Sequence, residues 1–206
     1  MDNNKKLKII GAGLAGCEAA WQAAKMGIKV ELYEMKPRKF SPAHKSEYFA
    51  ELVCSNSLRA DGIHNAVGLL KEEMRALDSL IMRCADMTRV PAGGALAVDR
   101  EGFSRAVTDA VRAEPNINII EEEVSVLDTD EYTIVAAGPL VSDSLADEIK
   151  RVLGEDAGEY LHFFDAAAPI VSYDSIDMSK AFKAARYGKG GDDYINCPMN
   201  KDEYLA

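Results

Sequence analysis

Apolar positions follow two different spacings from the first residues onward. Leu7–Ile10 is a short apolar run of strand character, and Leu14–Met26 is rich in alanine with the period of a helix. Gly27 predicts the end of that helix, and Val30–Tyr33 reads as a second strand. Strand, helix and strand within about 30 residues make one βαβ unit. Residues 36–68 carry Pro, His, Ser and Asn with little period and predict a long loop with short elements, the kind of segment that often holds function. Leu69, Leu70, Met74, Leu77, Leu80 and Ile81 then recur at helical spacing and predict a core-facing helix.

Val90–Val98 predicts a Pro-Gly turn entering a strand, and Arg100–Arg112 an amphipathic helix stopped by Pro115. Short strands are expected at Ile117–Ile120, Val124–Leu127 and Tyr132–Ala136, with a turn at Asp128–Glu131. A helix follows at Ser142–Leu153, then a strand at Pro169–Tyr173 and a glycine-rich turn at Tyr187–Asp193. Asn200 suits a helix N-cap, with Asp202 and Glu203 in the first turn. One turn does not meet the cost of helix nucleation, so the chain reads as the N-terminal part of a longer protein.

Composition narrows the class. The 206 residues are 48% hydrophobic, which suits one globular domain or a large domain with an appendage. The apolar runs around Ile9 and Ile134 fall short of the roughly 18 residues that cross a bilayer, and the start has no export signal, so a cytoplasmic protein without a membrane partner is expected. The net charge of −10 is unevenly spread: residues 1–59 hold 10 basic and 6 acidic groups, residues 114–206 hold 7 and 20. An acidic total argues against general nucleic-acid coating, yet leaves a locally positive N-terminal face able to meet phosphates. Cys17, Cys54, Cys84 and Cys197 are widely spaced, and His44, His64 and His162 lack ligand spacing, so neither a metal site nor a disulfide framework is expected. His44 and His64 read as solvated or hydrogen-bonding loop residues, and His162 as core edge.

Gly11-Ala12-Gly13-Leu14-Ala15-Gly16 fits G-x-G-x-x-G between an apolar strand and an alanine-rich helix, which is where a dinucleotide pyrophosphate is held. Gly11 permits the tight turn, Gly13 the approach of the phosphates, and Gly16 close packing of helix on strand. Glu34, at the end of the second strand, is placed to accept from a ribose 2′-OH, favouring FAD or NAD over NADP. The strand Thr133–Gly138, ending in small residues and Gly138, tips the choice to FAD, and Val124 is the candidate for meeting adenine through its backbone. Cys54 lies in a polar stretch of the long loop where a thiol can face a substrate, with Arg59 and loop amides favouring its thiolate; a buried spectator cysteine is the alternative reading.

The blocks Gly11–Gly16, Tyr33-Glu-Met-Lys-Pro37, Ser41-Pro-Ala-His44, Glu51-Leu-Val-Cys-Ser-Asn-Ser-Leu-Arg59, Asn65–Arg75, Val90–Arg100 and Phe164–Val171 together resemble the TrmFO family, the folate- and FAD-dependent tRNA (uracil-5-)-methyltransferases. The related GidA flavoproteins, which modify the wobble uridine, share the glycine fingerprint but lack the block around Cys54. The resemblance implies an α/β fold: an FAD-binding Rossmann-type domain over residues 1–149 and the start of a smaller inserted domain over 150–206. It implies methylation at C5 of the T-loop uridine of tRNA, after base flipping, with 5,10-methylenetetrahydrofolate giving the carbon and FAD, reduced by NAD(P)H, giving the electrons. A thiolate adds to C6 of the uracil in that chemistry. By resemblance, Cys54 is one of two functional cysteines, as general acid or base or as guard of the second, which belongs to a Gly-Cys-Met-Pro segment beyond this chain. Two other readings remain: a flavin-binding fragment without turnover, and a family member directed at ribosomal RNA.

Overall fold

The computed structural model describes residues 6–154, 171–185 and 191–205. Its centre is a four-stranded parallel sheet in the order β6-β2-β1-β7, formed by β1 (Lys6–Ile10), β2 (Lys29–Tyr33), β6 (Ile117–Ile120) and β7 (Thr133–Val135). β1 pairs with β2 from Lys6 opposite Lys29 to Ile10 opposite Tyr33, and with β7 from Lys8 opposite Thr133 to Ile10 opposite Val135. Between β1 and β2 runs α1 (Leu14–Lys25), whose inner face is Gly16, Cys17, Ala20, Ala23 and Ala24. Small side chains on that face let the helix lie close on Ile9 and Leu32, both fully buried. This is a Rossmann-type α/β fold.

A second, antiparallel sheet in the order β3-β5-β4 is built from β3 (Ser57–Ala60), β4 (Arg89–Val90) and β5 (Ala95–Val98). Two helices, α2 (Ala66–Ala76) and α3 (Leu80–Met87), join β3 to β4. α4 (Arg100–Ala113) follows β5; the Asp99 carboxylate caps it by accepting from Gly102 N–H at 2.7 Å, and Phe103, Val107 and Val111 fill the same core as Leu80 and Leu96. α5 (Asp143–Leu153) runs through position 150. Beyond it, β8 (Phe182–Ala184) and β9 (Tyr194–Asn196) make a hairpin tied to the turn before β5: the Tyr194 hydroxyl donates to Ala92 O at 2.6 Å, and Gly93 N–H donates to the Asp193 carboxylate at 2.6 Å. α6 (Lys201–Leu205) is capped by Asn200, whose side-chain oxygen accepts from Asp202 and Glu203 N–H at 2.9 Å, as its residue types predict.

Three expectations are corrected. The apolar series 69–81 belongs to two helices, broken where Asp78 takes φ +57°, with Ser79 capping the second. Leu80 and Ile81 are core, but Leu69, Leu70 and Leu77 face solvent. The cause is Gly68: a Cβ there would stand 1.9 Å from Gly62 O, so this closest approach fixes Gly68 and Lys71, not the leucines, as the inner face of α2. Val124–Leu127 is not a strand. It belongs to the link from β6 at one edge of the sheet to β7 at the other, and its groups bond sideways: Leu127 N–H donates to the Glu148 carboxylate at 2.8 Å. Tyr173 opens a 3-10 turn (Tyr173–Ser175) instead of ending a strand. Residues 169–170, His162 and most of the 187–193 turn lie outside the described residues.

Candidate functional site

The carboxyl ends of β1 and β2 open onto a cleft. Its floor is Gly11, Ala12 and Gly13, where the chain leaves β1 and turns into α1. Gly11 has φ +100°, and a Cβ on it would meet Ala136 O at 2.7 Å, so β7 can lie against the turn only because the residue is glycine. Gly16 is under a stronger constraint, since a Cβ would overlap Gly11 O at 1.8 Å. At Gly13 nothing stands within 4 Å of the same position. Gly13 is also the N-cap of α1 and brings no side-chain cap, which leaves the first-turn amides for a ligand.

Glu34 is 8% exposed and reaches back across this floor: one carboxylate oxygen accepts from Ala12 N–H at 2.8 Å, the other from Lys36 N–H at 3.1 Å. The carboxylate is thus fixed beside the glycine turn, as its sequence position predicts, with acceptor capacity left over. Val124 lines the far wall with Ala137, Val141 and Leu145, packed on Ile10. Gly138, at φ +70°, follows β7 next to the lining residue Ala137. Leu14, Ala15 and Gly16 form the first turn of α1 behind the floor. The predicted elements therefore meet around one cleft.

The long loop, through Lys36, His44 and Glu51, supplies a further wall. Lys36 is 4% exposed; its ammonium donates to Ser46 O at 3.1 Å and to Tyr48 O, and stands 3.7 Å from the Glu51 carboxylate. Glu51 accepts from the amides of Lys45 and Ser46. Ala50, at φ +49°, donates its N–H to Ala12 O at 2.9 Å, stitching the loop to the glycine turn. His44 lines the cleft with its Nδ1 2.6 Å from Ser41 Oγ. Burial and the nearby Lys36 hold this imidazole below its usual pKa, against Glu51 and Glu34, so the ring is neutral at pH 7. The signal available in the sequence was the density of charged residues in a long loop directly after Glu34. Across the mouth, Glu123 is held down to about 2 by hydrogen bonds from Lys39, Ser144 and Ser142.

Cys54 is exposed and lies outside the cleft lining, in a loop pinned on both sides: Arg100 donates to Leu52 O, and the Asn56 amide donates to Val98 O at 3.0 Å. Cys54 is therefore not a buried thiol. Arg59 and Cys54 share no hydrogen bond among the described residues. Cys17 and Cys84 are buried, and burial pushes both thiols up. Among the described residues no cluster of His, Cys, Asp and Glu suits a metal ion, and no helix is long and apolar enough to cross a membrane.

Known proteins fit this geometry. TrmFO of Acetivibrio thermocellus, a methylenetetrahydrofolate–tRNA-(uracil-5-)-methyltransferase, is 66% identical over 198 residues, covering 96% of this chain and 45% of that protein. TrmFO of Geotalea uraniireducens is 61% identical over 203 residues, covering 98% and 46%. The chain thus spans somewhat less than half the length of these curated relatives. Among solved structures, GidA of Aquifex aeolicus superposes with a TM-score of 0.52 over 65% of this chain and 25% of that one, at 19% identity, a likeness of fold. The family profile described as glucose inhibited division protein A matches residues 6–206, and the chain belongs to that family.

Proposed function

We propose that the chain forms the FAD-binding part of a folate-dependent tRNA (uracil-5-)-methyltransferase. The observation that carries this reading is the meeting of the Gly11–Gly13 floor with the fixed Glu34 carboxylate in one cleft, in a chain 66% identical to a TrmFO protein. The residues suit FAD: the open space at Gly13 would admit a pyrophosphate to the α1 amides, Glu34 would accept from the ribose, Val124 would border the adenine, and Gly138, after β7, would lie by the flavin half. When bound, FAD supplies the electrons that turn the carbon of 5,10-methylenetetrahydrofolate into a methyl group, with NAD(P)H as reductant.

The target is C5 of the T-loop uridine of tRNA, in the cytoplasm, and the basic surplus of residues 1–59 meets the RNA backbone. Cys54, exposed on its pinned loop, acts in proton transfer or guards the thiol that attacks C6. Residues 150–206 begin an inserted second domain. The length ratio to the relatives supports a second reading for the chain alone, cofactor binding without turnover.

Mixing the chain with FAD and passing it through gel filtration tests the first reading: retained visible flavin absorbance supports it, and a colourless folded protein refutes it. A tRNA methylation assay on residues 1–206 separates the two, since turnover would sink the second.

A further inference from the structure

We propose that His44 binds a ribose hydroxyl of the dinucleotide, opposite Glu34, so that the adenosine is gripped from both sides. This rests on the reading of the cleft as an FAD site.

The argument is an inventory of donors and acceptors. A ribose diol both donates and accepts. The cleft is rich in acceptors, with Glu34, Glu51, Glu122 and Glu123 in its lining, and poor in donors. Its side-chain donors are Lys36, His44 and the hydroxyls of Tyr33 and Ser142, of which Ser142 is engaged by Ser144 and Glu123. The Lys36 ammonium is spent on Ser46 O, Tyr48 O and the Glu51 carboxylate. In His44 the contact with Ser41 Oγ occupies Nδ1 and leaves Nε2 without a hydrogen bond among the described residues. Ser41 is itself buried, and the next turn is clamped through Glu51 to the amides of Lys45 and Ser46, so the ring is held in place before any ligand arrives.

The charged groups around the ring are Lys36, Glu51 and Glu34, and burial with Lys36 outweighs the two carboxylates. The tautomer proposed is the one in which Nδ1 accepts from Ser41 Oγ–H, so that Nε2–H is the donor left for the cleft and brings no charge into a partly buried site.

Calorimetric titration of the whole 206-residue chain with ADP, 2′-deoxy-ADP and 3′-deoxy-ADP tests this, alongside FAD. Against the wild type, both deoxy analogues should bind more weakly than ADP, one through loss of the Glu34 contact and the other through loss of the His44 contact. His44→Ala should weaken ADP and FAD by about five- to tenfold, the worth of one hydrogen bond, and the analogue that lacks the His44 contact should then lose nothing further. The ratio between wild type and variant should stay flat from about pH 7 to 8, where the ring is neutral. Equal affinity in His44→Ala, with circular dichroism and melting unchanged, overturns the inference while the FAD site stands. Full additivity of His44→Ala with both analogues overturns it as well. A folded wild type that binds neither ADP nor FAD overturns the reading of the cleft and the inference together. Ser41→Ala, which frees the ring without removing it, should weaken ADP by a smaller factor, and serves if His44→Ala fails to fold.

Discussion

Gly13 and Gly16, three positions apart in the glycine turn, make opposite demands on a substituent. Gly13 has φ −74° and empty space where a Cβ would point, so Gly13→Val should fold with little change in melting temperature and yet lose retained flavin. Gly16→Ala drives its methyl onto Gly11 O and should destabilise the chain by about 2 kcal/mol or more, the ordinary cost of overpacking, measured by denaturant unfolding. Thiol accessibility gives a second contrast. Alkylation of the native chain should label Cys54 and Cys197 and spare Cys17 and Cys84 until denaturant is added; mass spectrometry of the labelled peptides checks this. Gly11, Gly13, Gly16 and Glu34 were legible from residue types because each answers a local backbone requirement with one suitable chemistry. His44, Lys36 and Glu51 were not, because their partners come from the closure of a loop whose path no local pattern encodes.

Elements show where periodicity misleads. The spacing of Leu69, Leu70 and Leu77 is helical, as observed, but periodicity reports that a face exists and not which face is inward. The inward face is set by the contact of Gly68 with the backbone at Gly62 and by an ion cluster underneath. Arg75 on α2 bonds Asp61 at 3.1 Å and Asp86 on α3 at 2.7 Å, and Arg89 on β4 reaches the second oxygen of Asp61 at 2.6 Å. Burial works against ionisation of Asp61, yet the bonds from Arg75 and Arg89 outweigh it and keep its carboxyl below the usual range. Arg75→Ala should therefore loosen α2 from α3, at a cost of about 2 kcal/mol in urea unfolding. Hydrogen exchange should rise first in Ala66–Ala76; unchanged protection there would refute the clamp. The same limit explains Val124–Leu127, where Val124 and Leu127 pack inward with Ile10 and Leu145, Val126 faces solvent and the backbone joins no ladder.

For the molecule as a whole, the link between β6 and β7 is fastened to α5 by two carboxylates. Glu123 bonds Lys39 and Ser144, and Glu148 bonds Arg151 and the Leu127 N–H. Hydrogen bonds to these partners lower both groups to about 2 from an ordinary 4.5. A carboxyl depressed in the folded state adds stability above its unfolded pKa and loses it as the pH falls through the folded one. Melting temperature should accordingly drop as the pH falls from about 4.5 toward 2, and in Glu123→Gln the drop over that window should be shallower. A parallel acid profile for wild type and variant would discount the carboxylate.

The pairing of Ile10 with Val135 joins chain positions made far apart in time. The glycine turn leaves the ribosome early, but the wall formed by Val124, Ala137 and Leu145 is synthesised more than a hundred residues later. At about 5–20 residues per second, several seconds separate the two. Throughout that interval the nascent chain carries the glycine turn with no closed cleft above it. Under the proposed FAD reading of the cleft, a ribosome stalled before Thr133 should display the fingerprint and retain no flavin.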